Sequence, residues 1–190
     1  VVAPIGPINT TTPLLDITTG GPNAITTTQC QINGGSFVSC ADGATLPGTF
    51  TNGSSYSLVV RVTDSTSQVG NSPSVTFNVD TTPPATPTIA TATNPSNNLT
   101  PTVTGSAETG STVRIFNGAT QVCQTTAAAG AYSCTVTTLA PEGTKALTAR
   151  ATDAVGNQSV ASTTLNYVLD TTAPAQPTIA TATNPSNNLT

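Results

Sequence analysis

In the stretch SLVVRVTD (57–64), Leu58, Val60 and Val62 fall on one side of an extended chain, and Val59, Arg61 and Thr63 on the other. ALTARATD (146–153) repeats the form, with Leu147, Ala149 and Ala151 alternating with Thr148, Arg150 and Thr152. The two stretches align at an offset of 89, Arg on Arg and Asp64 on Asp153. Each is followed by a second alternating run, PSVTFNVD (73–80) and STTLNYVLD (162–170), in which Val75, Phe77 and Val79 correspond to Leu165, Tyr167 and Leu169. A period of two with a single apolar face is the pattern of antiparallel strands laid on a core.

The same reading carried through residues 86–170 predicts seven short strands, near 86–92, 99–106, 111–117, 119–126, 131–138, 145–153 and 160–169. NPSN, ETG, NG, AAG, APEG and VGN supply the turns between most of them. Seven strands in a stretch of this size predict an immunoglobulin-like sandwich. The first part of the chain reads similarly from Leu14 onward, with a less regular start.

A direct repeat organises the whole. DTTPPATPTIATATNPSNNLT (80–100) returns as DTTAPAQPTIATATNPSNNLT (170–190), identical at 19 of 21 positions. A spacing of 90 residues is the size of a domain, not of a solenoid unit. The expected organisation is tandem all-β sandwiches: 1–80, 81–170, and a linker with the first strand of a third repeat at 171–190. The proline-rich segments DTTPPATP and DTTAPAQP favour extended backbone, which predicts a semi-rigid string.

Composition agrees with all-β and removes several function classes. Thr accounts for 42 of 190 residues, and Thr, Val and Ile suit strands better than helices. With 15 Gly and 15 Pro spread throughout, no window is left for a long amphipathic helix. Four basic residues cannot neutralise a nucleic-acid backbone, and no apolar run reaches the ~18–20 residues of a membrane span, so neither nucleic acid nor membrane insertion is expected. Zero His removes His-based triads and Cys/His zinc sites, no pair of acidic residues forms an acid/base motif, and the glycines lie in turns. The chain is not expected to be an enzyme or to carry a cofactor.

Four cysteines form two local pairs, Cys30/Cys40 and Cys123/Cys134. The midpoint of the first pair lies in the NGG turn and that of the second in AAAG, so each pair is expected to face across a hairpin as a disulfide. The alternative is four buried reduced thiols. The pairs occupy different places relative to their NG dipeptides (33–34 and 117–118), so the staples sit on two different hairpins. Disulfides would place the chain in an oxidising compartment, at the cell surface or beyond.

Both units resemble the tandem bacterial Ig-like domains of large cell-surface and biofilm-type adhesins. In the second unit the likeness rests on GSAETGSTVRIFNG, AAGAYSCTV, LAPEGTKALTARATDAVGN and DTTAP; in the first, on CQINGGSFVSC and VRVTDSTSQVGN. The resemblance implies a stalk or filament repeat outside the cell, partnered by neighbouring repeats of its own chain. Some relatives stiffen domain junctions with Ca²⁺, for which the candidate ligands here are Asp64, Asp80, Asp153, Asn157 and Asp170. The competing reading is that these residues cap turns, with Asp64 and Asp153 also paired to Arg61 and Arg150. Glycosylation sequons stand at Asn9, Asn52, Asn98, Asn157 and Asn188.

Three functions fit: a spacer in a long adhesin or filament, a fibre subunit whose strands pair between identical chains, or a glycan- or host-protein-binding module. The last needs an exposed aromatic platform, for which Phe116 and Tyr132 are the candidate pair.

Overall fold

The computed structural model describes residues 4–91 and 93–179. Among them there is no helix. The chain forms β1 (Gly6–Ile8), β2 (Ile25–Ile32), β3 (Val38–Ser39), β4 (Ser55–Asp64), β5 (Val69–Asn71) and β6 (Val75–Val79). It continues with β7 (Ala90–Thr91), β8 (Thr102–Ser106), β9 (Thr112–Asn117), β10 (Thr120–Thr126), β11 (Ala131–Thr135), β12 (Gly143–Thr152) and β13 (Leu165–Leu169).

From residue 86 onward, each of the seven expected strands has a counterpart, β7 to β13. They form two sheets, β10-β9-β12-β13 and β11-β8-β7. The alternation in the sequence is the burial pattern of β12: Leu147, Ala149 and Ala151 are fully buried. On β13, Tyr167 and Leu169 face the same core, and the Tyr167 hydroxyl donates to the Asn98 carbonyl at 2.6 Å. Val103, Val113, Ile115 and Leu139 complete the packing.

Several expected strands are shorter than predicted, the first and last of the seven most of all. The segment from 86 is a strand only at Ala90–Thr91, where it pairs with Thr104 and Val103 of β8. It then leaves that sheet and joins the other through a parallel bridge from Ser96 to Leu169. Asn94 makes the transfer possible: its side-chain amide donates to the Asn166 carbonyl at 2.6 Å and accepts from the Val168 N–H at 2.8 Å. A side chain thus stands in for a backbone partner on the edge of β13. Likewise, β13 begins only at Leu165, because Ser159 and Ser162 hydroxyls bind the N–H groups of Ala151 and Ala149 along the open edge of β12.

The first part of the chain is built differently from the expectation that its strands start at Leu14. β1 precedes Leu14 and runs parallel to β6 at the edge of a six-stranded sheet, β1-β6-β4-β2-β3, with β5 paired to the far half of β4. Among the described residues, the second layer contains only an isolated bridge, Leu14 to Thr45, flanked by hydrogen bonds from Leu15 N–H to the Ala44 carbonyl and from Leu46 N–H to the Pro13 carbonyl. Leu15, Leu46 and Phe50 from this layer close the core over Leu58, Val60, Phe77 and Val79. Three of the chain's aromatic rings meet there, Phe50 with Tyr56 at 4.9 Å and with Phe77 at 5.6 Å between centroids. Pro13, Pro22 and Pro47 interrupt the segments that would form this layer, and proline removes the N–H a ladder needs.

The buried side chains therefore gather in two cores, one drawn from residues 15–79 and the other from 103–169, with no residue in common. Between them, residues 80–89 carry no regular secondary structure, yet Pro84 and Pro87 are buried.

Candidate functional site

Each of the two cores carries a disulfide. Cys30–Cys40 (Cα–Cα 5.8 Å) joins β2 to the residue after β3 and lies within one hairpin, as its spacing predicted. The turn is Asn33–Gly34, both with positive φ, the combination that suits a two-residue hairpin loop. Cys123–Cys134 (Cα–Cα 6.2 Å) does not lie within a hairpin. A tight turn is present at the predicted midpoint, with Ala128 and Ala131 exchanging backbone hydrogen bonds of 2.9 and 3.0 Å. Its two arms then separate: β10 pairs with β9, and β11 pairs with β8 in the opposite sheet. Cys123 lies opposite Ile115 and Cys134 opposite Val103, both inward-facing positions, so this bridge spans the sandwich from sheet to sheet. Sequence symmetry about a turn cannot distinguish a hairpin from such an arch, because the choice depends on which strand each arm finds beyond the turn.

The linker between the cores is fastened at both ends. Asp80 and Asp170 open their DTT motifs in the same way, each carboxylate accepting from the N–H two residues on, Thr82 and Thr172, at 3.1 Å. A side chain from the loop before the long strand then holds the motif. In the first unit, Asn52 accepts from Thr81 N–H at 2.8 Å and donates to Thr82 Oγ1 at 2.6 Å. In the second, Glu142 accepts from the N–H and hydroxyl of Thr171 and from the hydroxyl of Thr172. These bonds, with Thr171 foremost, hold the Glu142 carboxyl below the usual range. Asn52 and Glu142 align at an offset of 90 within NGS and EGT, a signal present in the sequence but obscured because the residue type changes.

At the other end of the linker, Thr88 is held by β8: its N–H donates to the Ser106 carbonyl at 3.0 Å and its hydroxyl accepts from Ser106 N–H at 2.7 Å. The Tyr132 hydroxyl donates to the Thr88 carbonyl at 2.6 Å. Burial of that ring pushes its hydroxyl pKa up to about 12. Tyr132 is thus a core residue and does not form an exposed platform with Phe116, because it shares the inward face of β11 with Cys134.

Of the five candidate calcium ligands, the structure brings three together. Asn157 donates from Nδ2 to the Asp80 carbonyl and to Asp153 Oδ2, both at 2.8 Å. Asp153 Oδ1 accepts from the N–H groups of Val155 and Asn157 at 2.9 Å. Burial opposes ionisation of Asp153, but these bonds outweigh it and keep the carboxyl below its ordinary value. Asp80, Glu108 and Asp153 line one shallow cleft of about 270 Å³ beside Pro7. Among the described residues, however, no three acidic, His or Cys side chains are close enough to share a metal ion. Asp64 and Asp170 stand apart. Asp64 accepts from Asn23 Nδ2, from Thr66 N–H and hydroxyl and from Gln68 N–H, and these bonds, that from Asn23 first, lower its pKa to about 2.

The expected Arg–Asp pairs are replaced by other contacts. Arg61 bonds Asn71 at 3.2 Å and lies 3.5 Å over the Phe37 ring, while Arg150 bonds Gln158 and the Ser159 carbonyl. Arg and Asp are three residues apart, an odd spacing that puts them on opposite faces of a strand. Among the sequons, Asn9, Asn52 and Asn98 are exposed, but the Asn52 and Asn157 amide nitrogens are committed to Thr82, Asp80 and Asp153. Asn188 lies outside the described residues.

Residues 88–171 match the family model of the bacterial Ig-like domain. This segment has an all-β, Ig-like fold. The chain is also similar to the solved fibronectin(III)-like modules of CbhA from Clostridium thermocellum, at 18% identity over 86% of this chain and 88% of that one, with a TM-score of 0.58. That likeness shows the fold. Two further matches are weaker: dimeric latent PorU from Porphyromonas gingivalis (13% identity, 87% of this chain, 19% of that one, TM-score 0.34) and Bacteroides ovatus SGBP-B in complex with a mixed-linkage heptasaccharide (16%, 85%, 42%, 0.29). No curated protein sequence matches the chain. Ig-like and fibronectin-like domains are typically non-catalytic structural modules. A bacterial domain of this kind closed by disulfides points to an extracellular or secreted protein.

Proposed function

We propose that the chain is a spacer: tandem Ig-like units within a bacterial surface adhesin or extracellular filament, extending a functional part of a longer protein away from the cell. The observation that supports this most directly is the linker 80–88. It is clamped by Asn52 to the first sandwich and by Thr88 and Ser106 to the second, with Pro84 and Pro87 buried between. Asn157, from the second unit, closes on the Asp80 carbonyl across the same junction. A linker fastened on both sides transmits direction from one unit to the next, which a spacer requires and a free tether would not provide. The inter-sheet and hairpin disulfides add resistance to opening in units that have no Trp.

Small-angle scattering tests this reading. Two sandwiches end to end, each as long as a ten-residue strand of about 34 Å, make a rod whose radius of gyration is about 22 Å, against about 16 Å for a compact globule of this length. The expected result is the larger value, with a narrower distribution for the native chain than for an Asn52→Ala/Asn157→Ala variant, whose junction is released. A value near 16 Å for the native chain would overturn the spacer reading.

A further inference from the structure

Acidic and basic side chains are segregated along this chain. The acidic residues lie outside the strands, apart from Asp64 at the end of β4, whereas Arg61, Arg114 and Arg150 stand in mid-strand on outward faces. In the second unit, Arg114 of β9 lies directly opposite Arg150 of β12. Like charges so placed, with Cβ atoms about 4.5–5.5 Å apart, destabilise a sheet. Their heads nevertheless converge. Arg114 Nη1 donates to Thr152 Oγ1 at 3.1 Å and Arg150 Nη1 to Gln158 Oε1 at 3.4 Å, and Thr152 and Gln158 face each other across an antiparallel bridge. Arg114 Nε also donates to Gln124 Oε1 at 2.9 Å, and Arg150 Nη1 to the Ser159 carbonyl at 3.3 Å. All of these partners are neutral. Among the described residues, no outward position of this four-stranded sheet carries a carboxylate. Asp153, three residues beyond Arg150, is turned into its own loop by Val155 and Asn157. Among the described residues, these bonds occupy Nε and Nη1 and leave Nη2 of each guanidinium, with its two N–H donors, without a partner.

We propose that the Arg114–Arg150 corner binds the acidic groups, carboxylate or sulfate, of a polysaccharide. Two guanidiniums drawn together without a counter-ion offer forked donors to an oxyanion, and such charge-assisted bonds are about twice as strong as neutral ones. The chain as a whole carries a net charge of −4, so a polyanion is not attracted to the molecule at large and must find its attraction locally. The rest of the face suits a glycan better than a protein. Thr112, Thr126, Thr148 and Asn166 give it hydroxyls and an amide, with the half-buried Phe116 as its aromatic ring, so it lacks the apolar centre of a protein interface. Nucleic acid would require more phosphate contacts than two arginines supply. The first unit provides the contrast: Arg61 aligns with Arg150, but Gln29 stands opposite it and Phe37 covers its guanidinium at 3.5 Å. This inference goes beyond the spacer reading and does not depend on it.

The test titrates the whole chain into four fluorescently labelled polymers, polygalacturonate, dextran sulfate, neutral dextran and duplex DNA, and follows anisotropy at about 20 and about 150 mM salt. At least one acidic polysaccharide is expected to bind, less tightly at the higher salt, and which of the two it is distinguishes carboxylate from sulfate. Arg114→Gln/Arg150→Gln should weaken that binding by about tenfold or more, the loss of at least one charge-assisted contact, whereas Arg61→Gln should leave it unchanged. In calorimetry, the bound polymer should raise the melting transition of the second unit and leave that of the first in place. Absence of binding to both acidic polysaccharides at the lower salt overturns the proposal. So does equal binding by neutral dextran or by the double variant, provided that the variant keeps both melting transitions. Tighter binding to DNA than to either polysaccharide overturns the assignment to a glycan. All of these results leave untouched the elongated shape expected of a spacer.

Discussion

Replacing Gly105 with alanine reverses an expectation drawn from local preferences. Gly105 sits inside β8 without a positive φ, and in such backbone Gly→Ala ordinarily stabilises by about 0.4–1 kcal/mol by reducing the freedom of the unfolded chain. Here a Cβ would collide with the Thr88 carbonyl oxygen, lie 2.8 Å from the Thr88 carbonyl carbon and 2.8 Å from Tyr132 Cε1. Neither obstacle is a flexible side-chain end: one is backbone, and the other is a buried ring held by its own hydroxyl. Relief requires residue 88 to move off β8. That movement breaks the bonds from Thr88 to Ser106 and leaves the Tyr132 hydroxyl without its acceptor, which costs about 1–3 kcal/mol for a buried group. Overpacking adds about 1–3 kcal/mol. A net loss of about 3 kcal/mol lowers the midpoint of a domain this size by roughly 12–24 °C. Differential scanning calorimetry should show one of two transitions moving by that amount while the other stays in place. An unchanged or raised midpoint for Gly105→Ala would refute the claim that the linker strand is pressed against β8.

Three further outcomes are expected. Cys123→Ser/Cys134→Ser should destabilise the second unit by about 2–3 kcal/mol, the chain-entropy value for a loop of 11 residues, and should do so without shifting the transition of the first unit; equal shifts in both would refute the assignment. Acid titration should reveal the caps: the Asp64 and Asp153 carboxyls have folded pKa values below their unfolded ones, Asp64 at about 2, so their contribution is complete above about pH 4 and is lost as pH falls towards 2. Asp64→Asn should flatten that limb of a stability–pH curve, and an unaltered limb would count against it. EDTA is expected to leave both melting transitions where they are, since the Asp153 oxygens are occupied by Val155 and Asn157; a fall of many degrees restored by Ca²⁺ would overturn this.

The alternation of Leu58, Val60 and Val62, and of Leu147, Ala149 and Ala151, is legible in the sequence alone, because a strand's side chains alternate by geometry and a single apolar face has one place to go. The seven strand positions after residue 86 follow for the same reason, as does the pairing of nearby cysteines. Other features depend on what each segment meets in space. The arch at Ala128–Ala131 looks in sequence like a hairpin, and only the neighbours of β10 and β11 decide that Cys123–Cys134 crosses between sheets. Tyr132 can be placed on a face by periodicity, but which face is inward depends on the opposite sheet, whose Val113, Ile115 and Leu147 share its core. Asn52 and Glu142 share a task that no residue-type pattern displays, since an amide and a carboxylate can each hold the same two threonines. The repeated segment marks the division most sharply. Ile89 and Ile179 have the same residues on either side, yet one packs on a core and the other is exposed. Local sequence gives the two isoleucines the same neighbours along the chain; the surface each meets in space determines whether its side chain is buried.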